Sequence, residues 1–184
     1  MNACRIVCLS LLLIGAVSIV QADERDKKEV TISDKSFRQI SSALLNDPRH
    51  TSARGWSRLI LLYRMRTSSA AVVVGSEELH WVGLDDDDRH GLLLLAAYAA
   101  GNIQSQLNSG VKRNDRYSGL LTLFHVYRAL REQDRKFNIA AVDYLLELHR
   151  QNKLVPHLQK LDEKTPTKLS PAEEKALRKL MKTP

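Results

Sequence analysis

Between residues 33 and 161 the apolar positions recur at intervals of three and four, the period of an α-helix, and capping residues, prolines and glycines divide them into short blocks. Ser33 or Asp34 opens the first block. Its Phe37, Ile40, Leu44 and Leu45 share a face until Asn46-Asp47-Pro48 ends it, because proline disfavours helical geometry in the residue before it. A second helix is expected from Thr51 or Ser52, carrying Trp56, Leu59, Ile60, Leu62 and Tyr63 and weakening at Thr67-Ser68-Ser69. Large aromatics mostly serve burial, so Trp56 and Trp81 are assigned to the core. Residues 70–74 break the period, since three successive valines, stiff at χ1, favour extended backbone. Ser76 can cap a short turn of helix reaching Trp81, with Gly83 suited to the residue that follows it.

The run Leu92–Ala100 is apolar on every side and built from helix formers, so it should lie buried between other helices. Asp85-Asp86-Asp87-Asp88 stand before it, where carboxylates accept free N–H groups and offset the positive end of the helix dipole. Gly91 and Gly101 would let neighbouring helices approach closely. Beyond them the helix turns polar at Asn102, Gln104, Gln106 and Asn108, and Gly110 closes it. Asn114 or Asp115 can cap the next helix, with Leu120, Leu123, Phe124, Tyr127 and Leu130 on one face; Tyr98 and Tyr127 are expected to meet in the core. Asn138 can cap another, carrying Ile139, Val142, Leu145, Leu146 and His149. Asn152-Lys153 suggests a turn, and Pro156 suits the first turn of a continuation through Leu158 and Leu161.

The pattern predicts an all-α chain with one domain at 33–161, about six to eight helices packed mainly as antiparallel hairpins, and a short extended segment near 70–75. Residues 162–184 read as a polar linker followed by an amphipathic helix, opened by the capping box Ser170-Pro171-Ala172-Glu173 and carrying Ala176, Leu177, Leu180 and Met181. Gly91-Leu92-Leu93-Leu94-Leu95 recurs as Gly119-Leu120-Leu121-Thr122-Leu123, with no further copies to make a solenoid.

The N-terminus changes the picture of where this domain works. Arg5 precedes an apolar run from Ile6 to Val20, and Val20-Gln21-Ala22 ends it with a small residue, the order of a secretory signal at 1–22. Residues 23–32 then form a charged leader. Cys4 and Cys8 both fall inside the signal, so a cleaved chain has no disulfide, zinc-thiolate site or cysteine nucleophile. A lipidated cysteine would follow the apolar region, whereas Cys8 lies within its start. With no Asn-x-Ser/Thr sequon, the expected setting is a bacterial periplasm or the cell exterior, with no transmembrane helix after cleavage.

Charge supplies the leading functional candidate. The chain carries a formal charge of +7, and loss of Arg5 with the signal leaves +6. Arg128, Arg131 and Arg135 recur at helical spacing opposite the apolar face, and Lys112, Arg113 and Arg116 precede them on the chain. Such a surface could receive an acidic partner, with Tyr117 as a stacking surface, although an ordinary solvated helix face has the same composition. A rival set is His80, Asp85, Asp87 and His90, imidazole and carboxylate ligands that suit zinc, manganese or iron. Helix capping accounts for the same acids. The segment has no calcium-loop frame, and Glu77-Glu78-Leu79-His80 has no second copy to complete a di-iron site. There is no Gly-x-Ser-x-Gly elbow, His-Glu-x-x-His helix or phosphate loop. These observations predict a non-catalytic binding or scaffolding module without a cofactor, whose partner is another protein or an acidic envelope component. The alternative is a metal-dependent enzyme or metal-binding protein. No nucleic-acid motif stands out.

Overall fold

Two helices begin at a side chain that accepts one of their first free N–H groups, and the computed structural model describes residues 32–74, 79 and 89–162. These residues hold six helices: α1 (Asp34–Asn46), α2 (Ala53–Arg66), α3 (Arg89–Ser109), α4 (Arg116–Gln133), α5 (Ala140–Arg150) and α6 (Leu154–Asp162). The Ser33 hydroxyl accepts the Ser36 N–H at 3.1 Å, and the Asp115 carboxylate accepts the Ser118 N–H at 3.0 Å. The expected cap at Asn138 is not used. Ile139 takes the N-cap position of α5 with no side-chain cap, and its own N–H is accepted by the Tyr127 hydroxyl at 3.0 Å. Gly110 follows α3 at φ +69°, and Asn152 makes the turn between α5 and α6 at φ +58°.

The expected signal, the leader up to residue 31, and the linker and helix from 163 to 184 lie outside the described residues. So do Ser76, Glu77, Glu78, His80, Trp81, Gly83 and Asp85–Asp88; Leu79 alone of that stretch is described, and it is buried.

α3 is the centre of the molecule. All nine residues of Leu92–Ala100 are buried, and Tyr98 and Tyr127 are both fully inaccessible, as their helix positions require. α4 crosses α3 in the opposite direction at glycine distance. A Cβ on Gly101 would fall 2.5 Å from the Ser118 carbonyl, and one on Gly119 would fall 2.8 Å from the Tyr98 ring. The close approach foreseen at Gly101 therefore has its counterpart on α4. Trp56 is only partly buried, stacked on His50 with ring centroids 4.8 Å apart.

Most neighbours in sequence are antiparallel, and one pair is not. At the start of α1, Phe37 stacks on Tyr63 near the end of α2 at 4.3 Å, and Arg38 donates to Asn108 at the end of α3. α1 therefore opposes both, and α2 and α3 run in the same direction. Parallel helices cannot be joined by a tight turn, and 22 residues separate Arg66 from Arg89. Residues 70–74 belong to that crossover and lie outside any helix, as the valine run implied. Among the described residues no helix is long and apolar enough to cross a membrane.

Candidate functional site

The buried end of α3 is polar, and its side chains organise the nearby surface. Asn102 and Gln106, one turn apart, are 0% and 3% exposed. Gln106 donates to Asn102 Oδ1 at 2.7 Å, Asn102 donates to Asn114 Oδ1 at 2.7 Å, and the Asp115 N–H reaches Asn102 Oδ1 at 3.0 Å. Polar groups cannot be left bare at this depth, and the amides satisfy one another and the adjacent backbone.

This network fixes the loop that carries Lys112 and Arg113. A cleft of about 460 Å³ opens beside it, lined by Arg113, Asp115, Arg116, Tyr117, Val155 and Leu158 among others. Lys112 and Arg113 are exposed, and the flanking Val111 and Val155 are 57% and 46% exposed. Arg116 differs from the expectation of a surface cation. It is 5% exposed, because the first turn of α4 directs it inward. Burial pushes the Asp115 carboxyl up. Hydrogen bonds from the Ser105 hydroxyl and from Ser118, with the Arg113 charge, outweigh that and hold it below the usual carboxylate range. Its oxygens are committed to capping α4.

The arginine stripe lies elsewhere, along a groove of about 550 Å³ between α4 and α5. Arg131 donates to Asp143 at 2.8 Å, the Tyr127 hydroxyl donates to the same oxygen at 3.1 Å, and the guanidinium sits 5.6 Å from the centre of the Tyr127 ring. Burial raises the Tyr127 pKa, and the Asp143 charge adds to that rise. Arg128 and Arg135 are exposed, and among the described residues neither has an ion-pair partner. Glu132, Asp143 and Glu147 line the groove together with Arg128, Arg131 and Arg150, so its charges balance. The two parts of the predicted basic surface are therefore separate places with different electrostatics.

Of the predicted metal ligands, His80, Asp85 and Asp87 lie outside the described residues. His90 packs on Phe137 with ring centroids 4.3 Å apart. Among the described residues no group of three or more His, Cys, Asp or Glu side chains could hold a metal ion. His125 stands on the exposed side of α4, its Nε2 3.0 Å from the Leu45 carbonyl, tying α4 to the end of α1.

Sequence reasoning missed Val111, Val155 and Asp143 because their importance comes from contacts distant along the chain. Asn102 and Gln106 carried a readable signal. They continue the Leu95, Ala99 stripe at helical spacing, so a buried role was legible in their positions. Comparison with protein-family models, with curated proteins and with solved structures finds no match to this chain.

Proposed function

We propose that this protein is an exported helical binding or scaffolding module, and that an acidic partner docks at the cleft beside the α3–α4 loop. Export is supported by the pattern of the first 22 residues. The binding reading is carried by the composition of the cleft. Exposed Arg113 lines it together with exposed Val111 and Val155, exposed Lys112 adjoins Arg113 on the loop, and the one carboxylate of the lining, Asp115, is already used as a helix cap. Cations next to apolar contact area suit an acidic segment that also carries apolar side chains. The α4–α5 groove offers less to an anion, because Asp143 occupies Arg131 and two glutamates flank the remaining arginines.

Fluorescence anisotropy with a labelled peptide alternating glutamate and leucine tests the proposal. Saturable binding should fall about tenfold in the double variant Lys112→Gln/Arg113→Gln, roughly the loss of one or two charge-assisted contacts. It should also weaken as salt rises, since exposed charges are screened beyond roughly 8 Å at physiological ionic strength. Stability of that variant should stay within about 0.5 kcal/mol of the parent. If Arg128→Gln/Arg135→Gln abolishes binding and the loop variant does not, the site is the arginine stripe. If neither variant changes binding, the basic residues are a solvated surface.

A further inference from the structure

Residues 71–73 are held by side chains in the way a β-strand is held by neighbouring strands. Gln106 accepts the Ala71 N–H at 2.8 Å and donates to the Ala71 carbonyl at 2.7 Å. Asn114 accepts the Val73 N–H at 3.0 Å, and the Tyr98 hydroxyl donates to the Val73 carbonyl at 3.3 Å. On the opposite edge Arg64 donates to the Val72 carbonyl at 3.2 Å. Alternation between the two edges is the signature of extended main chain. Val72 and Val74 meanwhile pack against the core.

All five contacts are to backbone atoms, so the site selects for an extended chain with side chains small enough to fit and for no particular sequence. The reading groups do not depend on the segment for their positions. Asn102 bonds both Gln106 and Asn114; Tyr98, Asn102 and Gln106 stand on α3, and Asn114 lies between α3 and α4. A preorganised row of this kind binds without paying to order itself. Gln106 is buried, and its Oε1 would lose the Ala71 N–H if the row were vacant, which favours exchange of one occupant for another over simple opening. Gln106 and Asn114 also line the α3–α4 loop cleft, which gives an incoming chain a route to the row.

We propose that the row Tyr98–Gln106–Asn114 is a binding site for extended main chain with small or β-branched side chains, filled in this molecule by Ala71–Val73, and that such a segment from a partner protein displaces it. The inference stands apart from the acidic-partner reading, because main-chain recognition needs no charge. The cis segment has the advantage of tethering, so a competitor gains most when the cis contacts are weakened.

The test uses a blocked heptapeptide of the sequence Ser69–Gly75, labelled and titrated against the purified protein. Ala71→Pro removes the N–H that Gln106 accepts, and should raise affinity for the peptide about tenfold over the parent. Adding Gln106→Leu should abolish that binding, as should N-methylation of the peptide at the position matching Ala71. Lys112→Gln/Arg113→Gln should leave it unchanged, which separates this test from the previous one. Equal binding by the N-methylated peptide, or no gain in Ala71→Pro, overturns the proposal. Hydrogen exchange on the parent decides the matter if Ala71→Pro does not fold. The Ala71 and Val73 amides should exchange well before those of Leu94 and Leu123, and exchange only in step with them would show that the segment never leaves. A parent dimer that disappears in Gln106→Leu would place the same segment of a second copy in the row, and would overturn its assignment to a partner protein.

Discussion

The two halves of α3 both reach the core, the first along its whole length and the second through Asn102, Ile103 and Gln106, and they are held by different physics. From Leu92 to Ala100 the helix is fixed by apolar area and close packing, and the chemistry of each side chain matters less than its volume. From Asn102 to Gln106 it is fixed by hydrogen bonds to the α3–α4 loop and to the crossover segment. The first half is uniform and tolerant of conservative exchange. The second half is specific, since removing one polar partner leaves others buried and unpaired. A single helix thus supplies both the apolar centre of the core and the device that positions the candidate binding surface.

The largest expected effect lies in the apolar half. Leu94 is fully buried, and Leu94→Ala should lower stability in urea denaturation by about 3–5 kcal/mol, combining lost transfer energy with a cavity. A loss below about 1 kcal/mol would mean that this half is loosely packed.

The helix crossing gives an intermediate effect with a built-in control. Gly101→Ala places a methyl inside the Thr122 hydroxyl and against the Ser118 carbonyl, and should cost about 1–3 kcal/mol. Gly55, on α2, has open space around its position, so Gly55→Ala should raise stability by about 0.5–1 kcal/mol. Equal effects at the two glycines would remove close approach as the reason for Gly101.

Legibility follows the same division. The apolar half of α3, the caps at Ser33 and Asp115, and the glycine-permitted crossing could be read from the chain because each depends on residues close in sequence. The break at Ala70–Val74 was legible from its valines, but what holds it was not, since Gln106 and Asn114 lie 35 and 41 positions away. At the polar end of α3 the stripe position of Asn102 and Gln106 was legible, but the partners that enclose these two of its four polar residues were not. Arg131 matched an exposed basic stripe in spacing and Arg116 was grouped with the cations that precede that stripe, yet burial of Arg116 and the Asp143 partner of Arg131 set both apart from a free basic surface. Pattern reports the face of a helix, while the groups that meet that face are set by topology.

The smallest effect concerns the acid limb of stability. Asp115 has a folded pKa below its unfolded value, ordinarily near 3.9, so its contribution is present above that value and is lost as pH falls through the folded pKa. Below about pH 4 the parent should therefore lose stability more steeply than Asp115→Asn, which keeps a capping oxygen and cannot titrate. Parallel acid limbs in circular dichroism would show that Asp115 contributes nothing to that slope.

The central claim is that the polar half of α3 belongs to the core through its bonds, and Gln106→Leu tests it most directly. The substitution is close in size and far more apolar, so packing alone predicts equal or greater stability in urea. Leucine also strips the Ala71 N–H and carbonyl of their partner, while Asn102 Oδ1 keeps only the Asp115 N–H. With each unpaired buried group costing about 1–3 kcal/mol, the expected result is a net loss of about 2–4 kcal/mol. A variant as stable as the parent, or more stable, would contradict the account.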